Sequence, residues 1–278
     1  MDFNLLETLI YGFISGLSEI LPISSRAHQS IMLQIFNSDA NVHLLDFMIH
    51  FGILVALLLT CGKQLRRSYS DYRMSSSARR RRNRRADVQS VMDFELIKNA
   101  SIPMLISFLL YNPAIGFFKS LYWVCLFLLL GGIILHVPLY ISHGNKDSRS
   151  MSKLDSVLIG LGSMLSVLPG ISRMGMVVAV SVGRGSDPSQ ALRWGLFLSV
   201  PAMVALMCCD VFSMVANGMS GIGFSEILLT VLGAAAAFFG TIFAIYIMKL
   251  LTSKANYLNF SFYCWGASLF IFILCLFV

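Results

Sequence analysis

The chain has 278 residues, of which 56% are hydrophobic and only 13% charged, and it carries a formal net charge of +7. A soluble domain of this composition would leave much apolar side-chain surface in water, so a water-soluble globular protein is excluded and an integral membrane protein is indicated. The apolar residues come in continuous runs, Leu121 to Leu135 and Ile227 to Ile247 among them, without the alternation of a transmembrane barrel, so the spans are expected to be helical.

In chain order, the first residues carry Asp2 and Glu7 and no basic residue precedes Arg26, which is not the pattern of a signal peptide. Leu5 to Gln34 is apolar but interrupted at Pro22 and Ser24-Ser25-Arg26. About fifteen residues remain on each side, where a straight crossing needs roughly 20, so this stretch predicts a re-entrant hairpin. Val42 to Cys61 follows as a span, then a polar stretch from Lys63 to about Asp93 containing the basic run Arg79 to Arg85. Ile97 to Tyr111 returns to a turn at Asn112-Pro113, and Leu121 to Ile141 leads to a polar loop, His143 to Lys153, with Lys146 and Arg149. Leu154 to Val182 is broken at Pro169-Gly170 and Ser172-Arg173 and predicts a second hairpin, and Leu192 to Val215, Ile227 to Leu251 and Leu258 to Val278 complete the spans.

The expected architecture is one all-α polytopic membrane domain with about six transmembrane helices and two re-entrant helical hairpins. The positive-inside rule places the basic loop, about 63–93, in the cytoplasm and both termini outside a plasma membrane. No aromatic residue interleaves the arginines, so no nucleic-acid partner is expected, and the basic run suits anionic lipid headgroups instead. The six cysteines form neither C-x-x-C pairs nor a Cys/His cluster and read as small buried hydrophobes.

Both hairpins break at the same phrase, LPISSR at 21–26 and LPGISR at 168–173. With the orientation above, one hairpin enters from outside and the other from inside. This predicts inverted-topology repeats, about 1–141 and 154–278, whose tips meet near the midplane.

Ionisable residues at membrane depth are costly and mark function, and Glu19, Arg26, His28 and Arg173 stand at or beside the tips. Two half-helix N-termini and two arginines make an anion site, and phosphate is the anion that Arg grips two oxygens at a time, with Ser24, Ser172 and the tip glycines Gly170 and Gly175 completing the cradle. Ser24 or Ser25 could act as nucleophile with His28 as base, and Glu19 as base or as holder of a divalent cation. His43, Asp46 and His50 share one helix face and read as a hydrogen-bonded set supporting the tips, metal ligation being the alternative.

These residues resemble the undecaprenyl-diphosphate phosphatases of the bacitracin-resistance type. That family's first signature reads approximately E-G-x-T-E-F-L-P-[IV]-S-S-T-G-H, and Ser15 to His28 reads SGLSEILPISSRAH; the second reads approximately P-G-[IF]-S-R-S-G-A-T, and Pro169 to Val177 reads PGISRMGMV. The resemblance extends along nearly the whole chain, including Asp46, Ile102-Pro103 and Arg193 to Pro201. It implies a membrane hydrolase that removes the terminal phosphate of undecaprenyl diphosphate with a divalent cation, magnesium or calcium, and so recycles a cell-wall lipid carrier. Glu19, Ser25, His28 and Arg173 would be catalytic, Ser24 and Ser172 would bind substrate, and Ser15, Asp46 and His50 would stand behind them. Whether the protein is a homodimer is left open.

This chain departs from the pattern where Ser15 replaces an acid, Arg26-Ala27 replace Thr-Gly, Met174 and Val177 replace Ser and Thr, and His50 and Gly195 replace Gln and Ser. The absence of a carboxylate at position 15 weakens the expected cation site, and Arg26 would bring a positive charge on its own side chain. A non-hydrolytic polyprenyl-phosphate transporter is the alternative, since inverted repeats around a midplane anion site also serve transport.

Overall fold

The computed structural model describes residues 3–36, 42–76, 86–110, 120–140, 144–216, 223–252 and 259–277. The Arg79 to Arg85 run, the Asn112-Pro113 turn, His143 and Lys254 lie outside the described residues. The described residues form ten α-helices with three short 3-10 turns and no strand. Five fall in the first half: α1 Leu5–Ile20, α2 Ser25–Ile35, α3 His43–Ser76, α4 Val88–Ile106 and α5 Leu121–His136. Five follow: α6 Lys153–Met164, α7 Arg173–Gly183, α8 Pro188–Ala216, α9 Phe224–Thr252 and α10 Phe260–Phe277.

Local sequence accounts for the broken segments. Asn4 caps α1 through a reciprocal pair with Glu7, each bond 2.9 Å, and Ser152 and Asp155 repeat this capping box at α6. Pro22 ends α1, because a residue before proline is driven out of the helical region. Ser24 and Ser172 then act as N-caps of α2 and α7, accepting the Ala27 and Gly175 N–H at 3.3 and 3.2 Å. The 11 residues of each second limb make a helix of about 16 Å, half the hydrocarbon thickness.

Three helices, α3, α8 and α9, are long and apolar enough to cross a membrane, and α5 and α10 are shorter apolar helices. Two expected boundaries are corrected. The polar stretch from Lys63 is not all loop: α3 continues to Ser76 and α4 begins at Val88, capped by Asp87 rather than starting near Ile97. The extension of α3 is rich in good helix formers, and Arg67 pairs with Asp71 one turn on. Nor are all six cysteines buried: Cys61 and Cys264 are, while Cys208 is exposed.

Helix packing relies on small residues, as it must where lipid is as apolar as the side chains. α1 runs parallel to α9, Gly12 lying against Gly233 and Gly16 against Ala237, while Gly52 of α3 meets Ala234 from another side. α6 likewise runs parallel to α4, with Gly160 against Ala100 and Pro103. α3 and α8 run antiparallel, joined by His50 and Asp210 at one end and by the cavity between Cys61 and Arg193 at the other. Basic groups gather at that second end. Arg67 meets Asp87, Lys98 meets the Tyr72 hydroxyl, Arg193 meets Asp93, and Arg184 Nε lies 2.5 Å from Asp155.

A Cβ at Gly16 would stand 2.1 Å from the Ala237 carbonyl oxygen. Gly16→Ala should therefore force α1 off α9 and cost about 1–3 kcal/mol, a fall of several degrees in the Tm of the detergent-solubilised protein. Gly62→Ala, whose Cβ would meet only the Leu58 side chain at 3.8 Å, should leave Tm unchanged or raised.

Candidate functional site

The two broken hairpins meet tip to tip and are stitched by crossed hydrogen bonds. The Gly170 N–H donates to Ser24 Oγ at 2.9 Å, and Ser172 Oγ donates to the Leu21 carbonyl at 3.2 Å. α2 and α7 thus both begin at one place, where their first-turn N–H groups have no intrahelical acceptor and the ends of both helices are positive.

A narrow cleft, with a cavity volume of about 40 Å³, opens beside this junction. Its walls come from the tips (Glu19, Ile23, Ser24, Ser25, Arg26, Ile171, Ser172, Arg173), from Ser18, from the turns after α4 and α6 (Ser107, Phe108, Ser166, Val167) and from Leu206 of α8. Arg26 approaches Asp46 in the first turn of α3, and Leu206 lies in the second half of α8, so the cleft sits toward the end of the bundle away from the basic one.

Glu19 is the one carboxylate among the described lining residues, and both its oxygens are engaged. Oε1 accepts from Arg173 Nη2 in a buried ion pair, and Oε2 accepts the Ser25 hydroxyl at 2.5 Å. The Arg173 side chain is 7% exposed, and its buried Nε has no hydrogen-bond partner. A buried donor left unmade costs about 1–3 kcal/mol, so this nitrogen marks where an acceptor belongs. Arg26 approaches from the other tip, with Nη1 3.2 Å from Gln29 Oε1 and 3.9 Å from Asp46 Oδ2.

Ser25 is distinguished among the six serines of the cleft. Ser18, Ser107 and Ser166 donate to carbonyls of their own turns, Ser172 donates to Leu21, and Ser24 accepts two backbone N–H groups. Ser25 alone donates to a carboxylate, the arrangement that readies a hydroxyl for attack.

Other sequence-predicted residues stand elsewhere. His28 does not line the cleft: Nδ1 lies 2.7 Å from the Ser24 carbonyl and Nε2 2.7 Å from the Tyr263 hydroxyl, with the ring stacked on Tyr263 of α10. Although it stands three residues after Ser25, on the same helix face, its ring nitrogens are taken by Ser24 and Tyr263 and not by Ser25 or Glu19. Gly170 does not contact the cleft; its φ of +108° makes the tight turn, its N–H is taken by Ser24, and a Cβ would strike the Leu128 backbone nitrogen at 2.5 Å. Gly175 is a packing position, where a Cβ would press on Ser172 and Pro22 at 3.2 and 3.3 Å. Ser15 accepts from Gln29 Nε2 at 3.3 Å, Asp46 accepts the Tyr11 hydroxyl at 3.1 Å, and His50 pairs with Asp210 at 2.6 Å. Among the described residues, His43, Asp46 and His50 do not group as metal ligands.

Sequence reasoning missed Ser18, Ser107, Phe108, Ser166 and Leu206 as walls, and Asp210 as the partner of His50. An unpaired buried histidine on α3 was the available signal that an acid must face it.

The donor set does not fit a divalent cation. Glu19 is committed to Arg173 and Ser25, two guanidiniums share the cleft with it, and no three His, Cys, Asp or Glu side chains group as metal ligands among the described residues. A cation bound at Glu19 would stand beside the Arg173 guanidinium and share a carboxylate whose charge that guanidinium already offsets.

The sequence family described as bacitracin resistance protein BacA matches residues 8–270. The chain is 24% identical to an undecaprenyl-diphosphatase of Halothermothrix orenii, with 98% of each chain covered. It is 27% identical to one of Thermotoga petrophila, covering 92% of this chain and 94% of that one. It is 25% identical to one of Methanobrevibacter smithii, covering 97% of each. With the match running through both hairpins and nearly all of the helical bundle, the chain belongs to the BacA family.

Proposed function

We propose that this protein is a membrane phosphatase that hydrolyses a polyprenyl diphosphate, undecaprenyl diphosphate as its relatives' name states, to the monophosphate and inorganic phosphate. The observation that carries the reading is the chain Ser25–Glu19–Arg173, ending in a buried Arg173 Nε that lacks an acceptor. A hydroxyl, a base and an anion donor therefore converge on one cleft at two helix N-termini. Recycling of the lipid carrier for cell-wall polymers is the corresponding cellular role.

In the first step Ser25 Oγ attacks the terminal phosphorus and its proton passes to Glu19 Oε2. The bond from that phosphorus to the bridging oxygen breaks, and the polyprenyl monophosphate leaves. In the second, Glu19, having passed the first proton to the departing monophosphate, takes a proton from the water that attacks the phosphoserine and returns it to Ser25 Oγ as phosphate is released. Arg173, Arg26 and the first-turn N–H groups of α2 and α7 face the charge on the equatorial oxygens. His28, anchored to Ser24 and Tyr263, holds the start of α2 against α10.

We read the two halves as inverted repeats in a six-span plasma-membrane protein. Each half supplies five helices in the order broken pair, long helix, then two more; the parallel packing of α1 on α9 is repeated by α6 on α4 with the halves exchanged. The basic end of the bundle, where hairpin α6–α7 enters, is then cytoplasmic, and the cleft lies toward the outer side.

Purified protein should release phosphate from undecaprenyl diphosphate, and Glu19→Gln and Arg173→Ala should each lower kcat at least about 100-fold. Protein that binds the lipid and releases nothing would leave transport as the reading. Ser25→Ala should cost at least about 100-fold, whereas His28→Asn should cost less than about tenfold. The reverse order would make His28 the nucleophile.

A further inference from the structure

We propose that Arg26 supplies in this cleft the positive charge for which a divalent cation would otherwise be needed, so that the diphosphate is held and neutralised without metal. The inference rests on the reading of the cleft as a diphosphate site.

Three observations converge on it. Glu19, the one carboxylate among the described lining residues, already holds Arg173 on one oxygen and Ser25 on the other, so a cation there would meet a carboxylate whose charge a guanidinium already offsets. Side-chain charge in the cleft is already positive, with Arg26 and Arg173 against Glu19 alone among the described lining residues. Both arginines also lie in the first turn of a helix, where the backbone's own positive end disfavours a cation. Glu19 and Asp46 each offset one guanidinium, but the two helix ends add further positive potential, so a divalent cation there would meet repulsion where an anion is favoured.

Arg26 is also held in place rather than trailing from the surface. Its side chain is 15% exposed, Gln29 Oε1 accepts from Nη1, and Asp46, itself accepting from Tyr11, lies 3.9 Å away. The other end of Gln29 donates to Ser15, at the position where the resembling family carries an acid. The carboxylate that would draw in a cation is thus replaced by a hydroxyl that, through Gln29, steadies a guanidinium. A fixed planar donor can meet two phosphate oxygens at once without reorganising as charge develops.

The test is binding of farnesyl diphosphate to the detergent-solubilised protein, by calorimetry, in EDTA and in magnesium or calcium, with phosphate release followed in the same samples. The wild type should bind within about threefold as tightly in EDTA as with either ion, and Arg26→Gln should bind at least about tenfold more weakly in EDTA. Arg26→Lys, which keeps the charge and loses the planar fork, should fall between. Wild-type binding that disappears in EDTA and returns with either ion overturns the proposal, as does Arg26→Gln binding equal to wild type. If Arg26→Gln does not fold, as judged by its melting transition, the wild-type comparison and Arg26→Lys decide. Metal-free binding without phosphate release sustains the role of Arg26 and removes the phosphatase reading instead.

Discussion

The buried ion pair between Glu19 and Arg173 joins the end of one half-helix to the start of another from the opposite half of the chain. Neither residue is tolerable alone at that depth: breaking a buried pair by removing one partner costs about 3–5 kcal/mol, because the survivor keeps its charge without compensation. The pair is therefore weak support for stability as such. What it fixes is register, since Arg173 can reach Glu19 only when the two tips lie against each other. The bonds from Gly170 to Ser24 and from Ser172 to Leu21 require the same placement.

That placement accounts for much of the rest of the bundle. Broken backbone inside a membrane must be buried in protein, and the helices that bury it can approach closely only through small residues. Gly12, Gly16 and Gly52 against the Gly233 to Ala237 segment let α9 pack tightly on α1 and α3, and Gly160 does the same for α6 on α4. The glycines thus serve the site at a distance, by letting the helices around the two tips approach closely enough to bury them.

Much of this was legible in sequence because its causes are local. Pro22, Pro169 and the capping serines announce the breaks, and Glu19, Ser24, Ser25, Arg26, Ser172 and Arg173 all line the cleft. The repeated phrase misleads by one residue. Aligned by letters, Ser25 matches Ser172; aligned by caps, Ser24 does, because Gly170 at positive φ inserts an extra residue into the second turn. The two arginines consequently occupy different positions in their first turns, one pairing with Glu19 and the other directed toward Asp46. Periodicity could not reveal the walls contributed by Ser107, Phe108, Ser166 and Leu206, since each depends on which helix end arrives beside the tips. Nor could it reveal the aim of His28, which the Tyr263 hydroxyl of the distant α10 decides.

Behind the cleft, the polar groups of α3 and α8 follow the same logic of compensation. His50 and Asp210 are nearly wholly buried and satisfy each other across the antiparallel pair, while Asp46, one turn before His50, accepts from Tyr11 and faces Arg26. Asp210 meets His50 from a second helix, so Asp46 is left for Arg26 rather than being drawn into the pair. Of the two acids beside these arginines, Glu19 lines the cleft and Asp46 does not. Set on a neighbouring helix, Asp46 can steady a guanidinium without occupying the space the ligand must enter, and Glu19 remains the sole carboxylate among the described residues of the cleft, engaged by the hydroxyl it would deprotonate.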